Sequence, residues 1–263
     1  MNLELLTKQV TNITRGVGGF LRNEIRKINQ ADIETKGLNN FVTYVDKKSE
    51  ERIVSELGKL LPEAGFIAEE NASLQKKPEY NWIIDPLDGT TNFIHKVPLF
   101  SISIALVKNE ELLLGVVYEA NLQECFYAWE NGGAYLNGHK ITVSNCGYLK
   151  DSLLATGFPY HDYDRMDEYI ELLKELMKST HGIRRLGSAA VDLAYTACGR
   201  FDGFYEYGLN SWDVAAGALI VKEAGGIISD FSGGGNYVYG SEMIASAPQF
   251  NQEFLKIIKR HFQ

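Results

Sequence analysis

The sequence predicts a mixed α/β protein in which helices cover layers of sheet. Three observations carry that prediction. From Ser101 to Trp129, apolar runs follow one another across short polar turns, the pattern of consecutive antiparallel strands. From Leu153 onward, short apolar runs alternate with amphipathic stretches of helical length, which places helices on sheet faces. The composition, 45% hydrophobic and 23% charged over 263 residues, supplies the core of one compact domain of two packed halves and makes disorder, collagen and coiled coil poor readings.

The elements follow in order. Leu3, Leu6, Val10, Ile13, Val17, Phe20, Leu21, Ile25 and Ile28 recur at steps of three and four and predict one long amphipathic helix. Gly16, Gly18 and Gly19 inside it imply close approach by another element, or a kink. Thr35 to Gly37, a polar turn at Asn39-Asn40 and a strand from Phe41 to Val45 precede a second helix from Asp46 to Leu61, stopped near Pro62. Phe66 to Ala68 and Trp82 to Ile84 read as buried strands running directly into acids. Strands at Ser101–Val107, Leu112–Glu119 and Glu124–Trp129 complete the first half, residues 1–147. In the second half, residues 148–263, strands at Leu153–Thr156, Gly182–Arg185, Phe204-Tyr205, Ile227–Asp230 and Met243–Ser246 alternate with helices. Those helices are Asp167–Lys178, Ala189–Cys198, Val214–Ala224 and Gln249–His261.

The 26 basic and 34 acidic residues leave a net charge of −8. With no basic run, direct binding to nucleic acid or to an anionic membrane is a poor reading. No apolar run reaches the ~18 residues of a membrane span, and no signal-peptide core opens the chain. Cys125, Cys146 and Cys198 are odd in number and far apart, which reads as free thiols in a reducing cytoplasm. The histidines at 95, 139, 161, 181 and 261 show no zinc-ligand spacing.

The informative segment is Trp82 to Phe93, WIIDPLDGTTNF. Asp85 ends an apolar strand, Pro86 and Gly89 suit a tight turn, and Asp88 follows Asp85 by three residues, so a turn can aim both carboxylates at one point. Gly89, Thr90 and Thr91 open a short helix whose unpaired N–H groups suit a phosphate. Glu69-Glu70 after a buried strand, Asp46 before a helix and Asp213 at the start of another could complete an all-oxygen site suited to magnesium rather than zinc. Taken singly, Asp46 and Asp213 read as helix N-caps, Glu69-Glu70 as a solvated strand end, and Asp85 with Asp88 as an ordinary capped turn. Periodicity does not decide whether the acids converge.

Asp85 to Phe93 resembles the first signature of the inositol monophosphatase family, and Trp212 to Gly226 resembles its second. Phe66 to Glu70 and Val42 to Asp46 match two further family blocks in the same order, and the resemblance covers about Ile33 to Ala247. It implies an alternating α-β-α-β-α sandwich like that of fructose-1,6-bisphosphatase and inositol monophosphatase. It also implies a homodimer and a lithium-sensitive phosphatase using two or three magnesium ions, with manganese a possible substitute. Glu69, Asp85 and the Leu87 carbonyl would hold the first ion, and Asp85, Asp88 and Asp213 the second. Thr90, bonded to Asp46, would orient and help deprotonate the attacking water. Glu70 and Lys36 match positions near the site waters. Asp88, Gly89, Thr90, Thr91, Gly187, Ser188, Ala189 and Glu206 would meet the substrate's phosphate or hydroxyls.

The implied substrate is a small phosphorylated polyol or sugar, with inositol 1-phosphate first. Fructose 1,6-bisphosphate, 3′-phosphoadenosine 5′-phosphate and NADP are the alternatives, and a non-catalytic partner in transcription or ribosome assembly is the rival from another class. The aromatic loop Gly157 to Asp162 departs from the animal inositol phosphatases and bears on selectivity. Arg184 and Arg185 suit a dimer contact or a second anionic group, while His95 reads as a surface residue.

Overall fold

Leu6, Val10, Val17 and Leu21 bury one face of α1 (Leu3–Glu24), whose start is capped by the Asn2 side chain. We describe a computed structural model covering residues 1–29, 32–37, 40–71, 73–159 and 163–262, the side chains of residues 35–37, 40 and 41 excepted. A Cβ on Gly18 would fall 2.2 Å from the Tyr118 ring, so the glycine lets α1 lie on the sheet, and the helix runs through it unbroken. Helix α1 ends at Glu24, a turn short of the predicted Ile28. Helix α2 (Tyr44–Leu60) starts two residues earlier than predicted, because Thr43 supplies the cap.

Strands β1 (Ile33–Gly37) and β2 (Asn40–Thr43) pair antiparallel beside it. A seven-stranded sheet follows, in the order β3-β4-β5-β6-β7-β8-β9. Its strands are β3 (Gly65–Ala68), β4 (Tyr80–Asp88), β5 (Ser101–Lys108), β6 (Glu111–Glu119), β7 (Glu124–Trp129), β8 (Gly133–Leu136) and β9 (His139–Ile141). Only β3–β4 is parallel; the rest is an antiparallel meander, as the alternation from Ser101 to Trp129 predicts. The last hairpin was missed because its strands are short and half polar. Its signal was Asn137-Gly138, both at positive φ, the favoured two-residue hairpin turn.

The second sheet runs β11-β10-β12-β14-β13. It is built from β10 (Leu153–Thr156), β11 (Gly182–Arg184), β12 (Gly203–Tyr207), β13 (Ile227–Ser229) and β14 (Glu242–Ser246). Between the sheets lie α5 (Ala189–Ala197) and α6 (Ser211–Glu223), after the short α3 (Thr90–Ile94) and α4 (Met166–Ser179) in chain order. Every residue of α5 and all of Val214 to Val221 in α6 are buried, as a helix apolar on all sides must be. Helix α6 packs on β4 to β8 and on β13; α5 packs on β5 and β6 and on β10, β12 and β14. Gly115 and Gly217 permit this, since a Cβ would fall 2.6 Å from the Ala216 carbonyl at the first and from Leu193 at the second.

Three apolar cores join the layers. Helices α1 and α2 cover one face of the large sheet through Trp82, Ile84, Ile104 and Val116. The buried helix pair fills the space between the sheets, against Ile83, Val117 and Phe126 on one side and Phe204 and Met243 on the other. Helices α4 and α7 (Asn251–His261) cover the outer face of the small sheet through Tyr169, Leu172, Phe254 and Ile258. The result is the alternating α-β-α-β-α order. No helix among the described residues is long and apolar enough to cross a membrane.

Candidate active site

The centre of the site is a strand irregularity. Strand β4 pairs Asp85 with Ser103 and Asp88 with Ser101, so three steps on β4 match two on β5. Side chains three apart on a regular strand face opposite ways; one extra residue puts both on the same side. Pro86 sits in this bulge, where it has no ladder N–H to withhold. The sequence suggested a Pro-Gly turn between the two acids. Strand β4 instead continues to Asp88, and the bend comes at Gly89, whose φ is +91°. A Cβ there would crowd the Gly187 and Leu99 carbonyls at 3.1 and 3.3 Å.

Asp85, the Leu87 backbone, Asp88, Gly89, Thr90 and Thr91 line one cleft together with Glu69, Gly187, Ser188, Ala189, Glu206 and Asp213. Glu69 arrives from the residue after β3, within hydrogen-bonding reach of Asp85. Asp213 arrives from the first turn of α6. Its Oδ2 accepts the Asn210 N–H at 2.7 Å, so it caps the helix from inside rather than as the N-cap residue. Asp46 does the same for α2: its Oδ2 accepts the Thr43 N–H at 2.8 Å and the Thr43 hydroxyl at 2.6 Å. The other Asp46 oxygen faces the Thr90 hydroxyl at 3.2 Å, and that hydroxyl also lies 2.9 Å from the Leu87 carbonyl oxygen.

Asp88 ties the large sheet to the buried helix α5. Its Oδ2 accepts the Ser188 hydroxyl at 2.6 Å and the Ala190 N–H at 2.9 Å, at the positive end of α5. Asn92 adds a second tie, donating to the Leu99 and Leu186 carbonyls at 2.9 Å each. Glu206, on β12, rests on Gly157, where a Cβ would lie 1.9 Å from its carboxyl.

Burial pushes these acids up. It raises Asp46 to about 6 and Asp213 to about 7, the charge of Asp88 adding to the latter. Glu69 and Asp85 stand well above the usual carboxylate range, from burial first and then from their acidic neighbours. Asp88 is raised by burial against the pull of Ser188 and Ala190. Arg185 is the one basic residue among the described lining residues. Among the described residues, no group of three or more acidic, histidine or cysteine side chains is already drawn together closely enough to hold a metal ion. Glu69, Asp85, Asp88 and Asp213 instead line one cleft. Crowded, poorly compensated carboxylates with a backbone carbonyl are a hard, all-oxygen donor set, the chemistry that suits a divalent cation.

Other residues stand differently. Glu70 does not line the cleft; its N–H donates to Glu50 Oε2 at 2.8 Å, and its charge acts on Asp46 and Glu69 from behind the wall. Lys36 lies on β1 with its side chain outside the described atoms, and Tyr160 to Asp162 of the aromatic loop, with His161, also lie outside them. His95 is exposed. Asn92, Gly157, Phe158, Arg185 and Asp192 line the cleft without having been assigned to it from sequence. For Asp192 a signal existed: it is the one acid in the apolar run of α5.

Residues 2–262 match the model of the inositol monophosphatase family. The chain is 37% identical to the inositol-1-monophosphatase of Mesorhizobium japonicum over 92% of each chain. It is 40% identical to the Nus factor SuhB of Pseudomonas aeruginosa over 94% of this chain and 93% of that one. The crystal structure of the extragenic suppressor protein suhB from Bartonella henselae superposes with a TM-score of 0.93 at 35% identity, covering 97% of this chain and 99% of that one. With four ordered motifs, the layered fold and the carboxylate cleft in agreement, the chain belongs to the inositol monophosphatase family, whose members are metal-dependent phosphatases of small phosphorylated substrates.

Proposed function

We propose that the protein hydrolyses inositol 1-phosphate to inositol and phosphate, using magnesium. The observation that carries this reading is the meeting of Glu69, Asp85, Asp88 and Asp213 in one cleft with the Asp46–Thr90 contact at its edge. Those four acids and the Leu87 carbonyl would hold two or three magnesium ions, or manganese in their place, which would supply charge neutralisation for the phosphoryl group and lower the pKa of a bound water.

The chain's own residues do the rest. Thr90, fixed between Asp46 and the Leu87 carbonyl, orients the attacking water and relays its proton to Asp46. An acid held at about 6 accepts and returns a proton near neutral pH. The first-turn N–H groups of α3, from Thr90 and Thr91, face the phosphate. Gly187, Ser188 and Ala189 at the head of α5 support the alcohol, and Glu206 accepts hydrogen bonds from its hydroxyls. Thr90→Val is expected to lower kcat about a hundredfold with a smaller change in KM, and Thr90→Ser to restore most of it. Steady-state kinetics of both variants decide this.

The deciding experiment is phosphate release from inositol 1-phosphate, fructose 1,6-bisphosphate, 3′-phosphoadenosine 5′-phosphate and NADP during a magnesium titration. Much faster turnover of the bisphosphate would defeat the inositol assignment. The family resemblance extends the proposal to lithium inhibition and a homodimer, which the same preparation tests. The name Nus factor carried by the Pseudomonas aeruginosa relative favours a second reading, a role in transcription alongside catalysis. Absence of phosphate release from every polyol phosphate at any magnesium concentration would leave the transcription role without catalysis as the remaining reading.

A further inference from the structure

Asp192 is only 1% exposed, yet it lines the cleft, and its Oδ1 has no hydrogen-bond donor among the described residues. Buried acceptors are almost always satisfied, so an orphaned carboxylate oxygen beside a substrate cleft calls for a donor that arrives with the substrate. The charged groups facing it are Glu206 and Asp88, which only accept while ionised, and Arg185. Glu206 stands on the same wall, held from β12 and seated on Gly157. The Arg185 guanidinium lies over the Phe158 ring at 5.2 Å from its centre. Glu206 and Asp192 against the one arginine leave this wall without the positive charge a second phosphate needs and receptive to hydroxyl donors.

We propose that Asp192 is a second polyol-reading carboxylate, working beside Glu206. The substrate class is then a phosphomonoester whose remaining body is neutral and rich in hydroxyls, not a bisphosphate. This inference rests on the phosphatase reading above. It assigns Asp192 to specificity, because the orphaned oxygen belongs to the wall that faces the alcohol rather than to the carboxylates around the phosphate.

The test compares two substrates that share the phosphoryl group but not the hydroxyls: inositol 1-phosphate and 4-nitrophenyl phosphate. In Asp192→Asn, the ratio of their kcat/KM values should fall about tenfold, mostly through the KM of the polyol. The melting temperature of the variant should rise, because an acid that burial, Glu206 and Asp88 hold well above its usual range is replaced by a neutral amide. A purely structural acid would give the opposite sign in melting temperature and no change in the ratio. Asp192→Leu, close in shape, should reproduce both effects. A wild-type protein that prefers the polyol, with an unchanged ratio in both variants, overturns this inference alone. A wild-type protein that cleaves 4-nitrophenyl phosphate and no polyol phosphate overturns both this inference and the function it rests on.

Discussion

Asp213→Asn is expected to lower kcat/KM for phosphate release by at least about a thousandfold, ~4 kcal/mol of barrier, while leaving the chain as stable as before or more so. The two effects part because the residue has two jobs. As a helix cap it accepts the Asn210 N–H at 2.7 Å, which an amide oxygen does equally well. As a charge it is one of four acids around the cleft, and no other group on α6 replaces it. Removing it relieves repulsion from Asp88 and Glu69, so the melting temperature should hold or rise. Phosphate-release kinetics and thermal melting on the same preparation are the measurement. Activity within tenfold of wild type would mean that Asp213 holds nothing the reaction needs.

The second large effect is on pH. Asp213 at about 7 and Asp46 at about 6 both lie above the ordinary carboxylate range near 4, with burial the first cause in each. In the metal-free protein Asp213 therefore keeps its proton to near neutrality, and magnesium must displace it. The magnesium concentration for half-maximal activity should fall at least about tenfold from pH 6 to pH 8. The sign for stability follows from the same shift. With its folded pKa raised, the folded state holds more protons than the unfolded one between about 4 and 7. The contribution of Asp213 is complete below that window and is lost as pH rises through it. Without metal, the melting temperature of the wild type should thus drop relative to Asp213→Asn as pH rises from 5 to 8. A gap between the two proteins that stays constant over that range would contradict the raised pKa.

Much of this was readable in the amino-acid order, for identifiable reasons. Helix α1, the meander β5–β7 and the alternation after Leu153 follow from local apolar periodicity. Every acid of the cluster stood out because each interrupts or ends an apolar run. Convergence was not readable. It depends on a bulge one residue long at Pro86 and on Asp88 reaching the head of α5, about a hundred residues along the chain. The capping roles were half right: Asp46 and Asp213 do stabilise helix starts, but from the third helical position, which leaves the second oxygen of Asp46 for Thr90 and Asp213 in the cleft lining. Glu70 shows the limit of adjacency, since neighbouring strand-end residues diverge and only Glu69 reaches the cleft wall. Asp192 escaped because the helical pattern of Ala189–Cys198 does not tell an acid packed inside a helix layer from one that faces a cleft.

The ties from Asp88 to the head of α5 and from Asn92 to Leu186 have a consequence for how the protein comes into being. The acids at 69, 85 and 88 emerge early in synthesis on the large sheet, while Asp213 waits on a helix made more than a hundred residues later. A nascent chain carrying only the first sheet lacks both the fourth carboxylate and the partners of Asp88, so on the proposed function it would neither gather cations nor turn over substrate. Chemistry would begin only after the buried helix pair has docked between both sheets, and loops that long close slowly. The appearance of enzymatic turnover after dilution from denaturant should therefore lag the recovery of helical circular dichroism, which makes catalysis a late clock for folding.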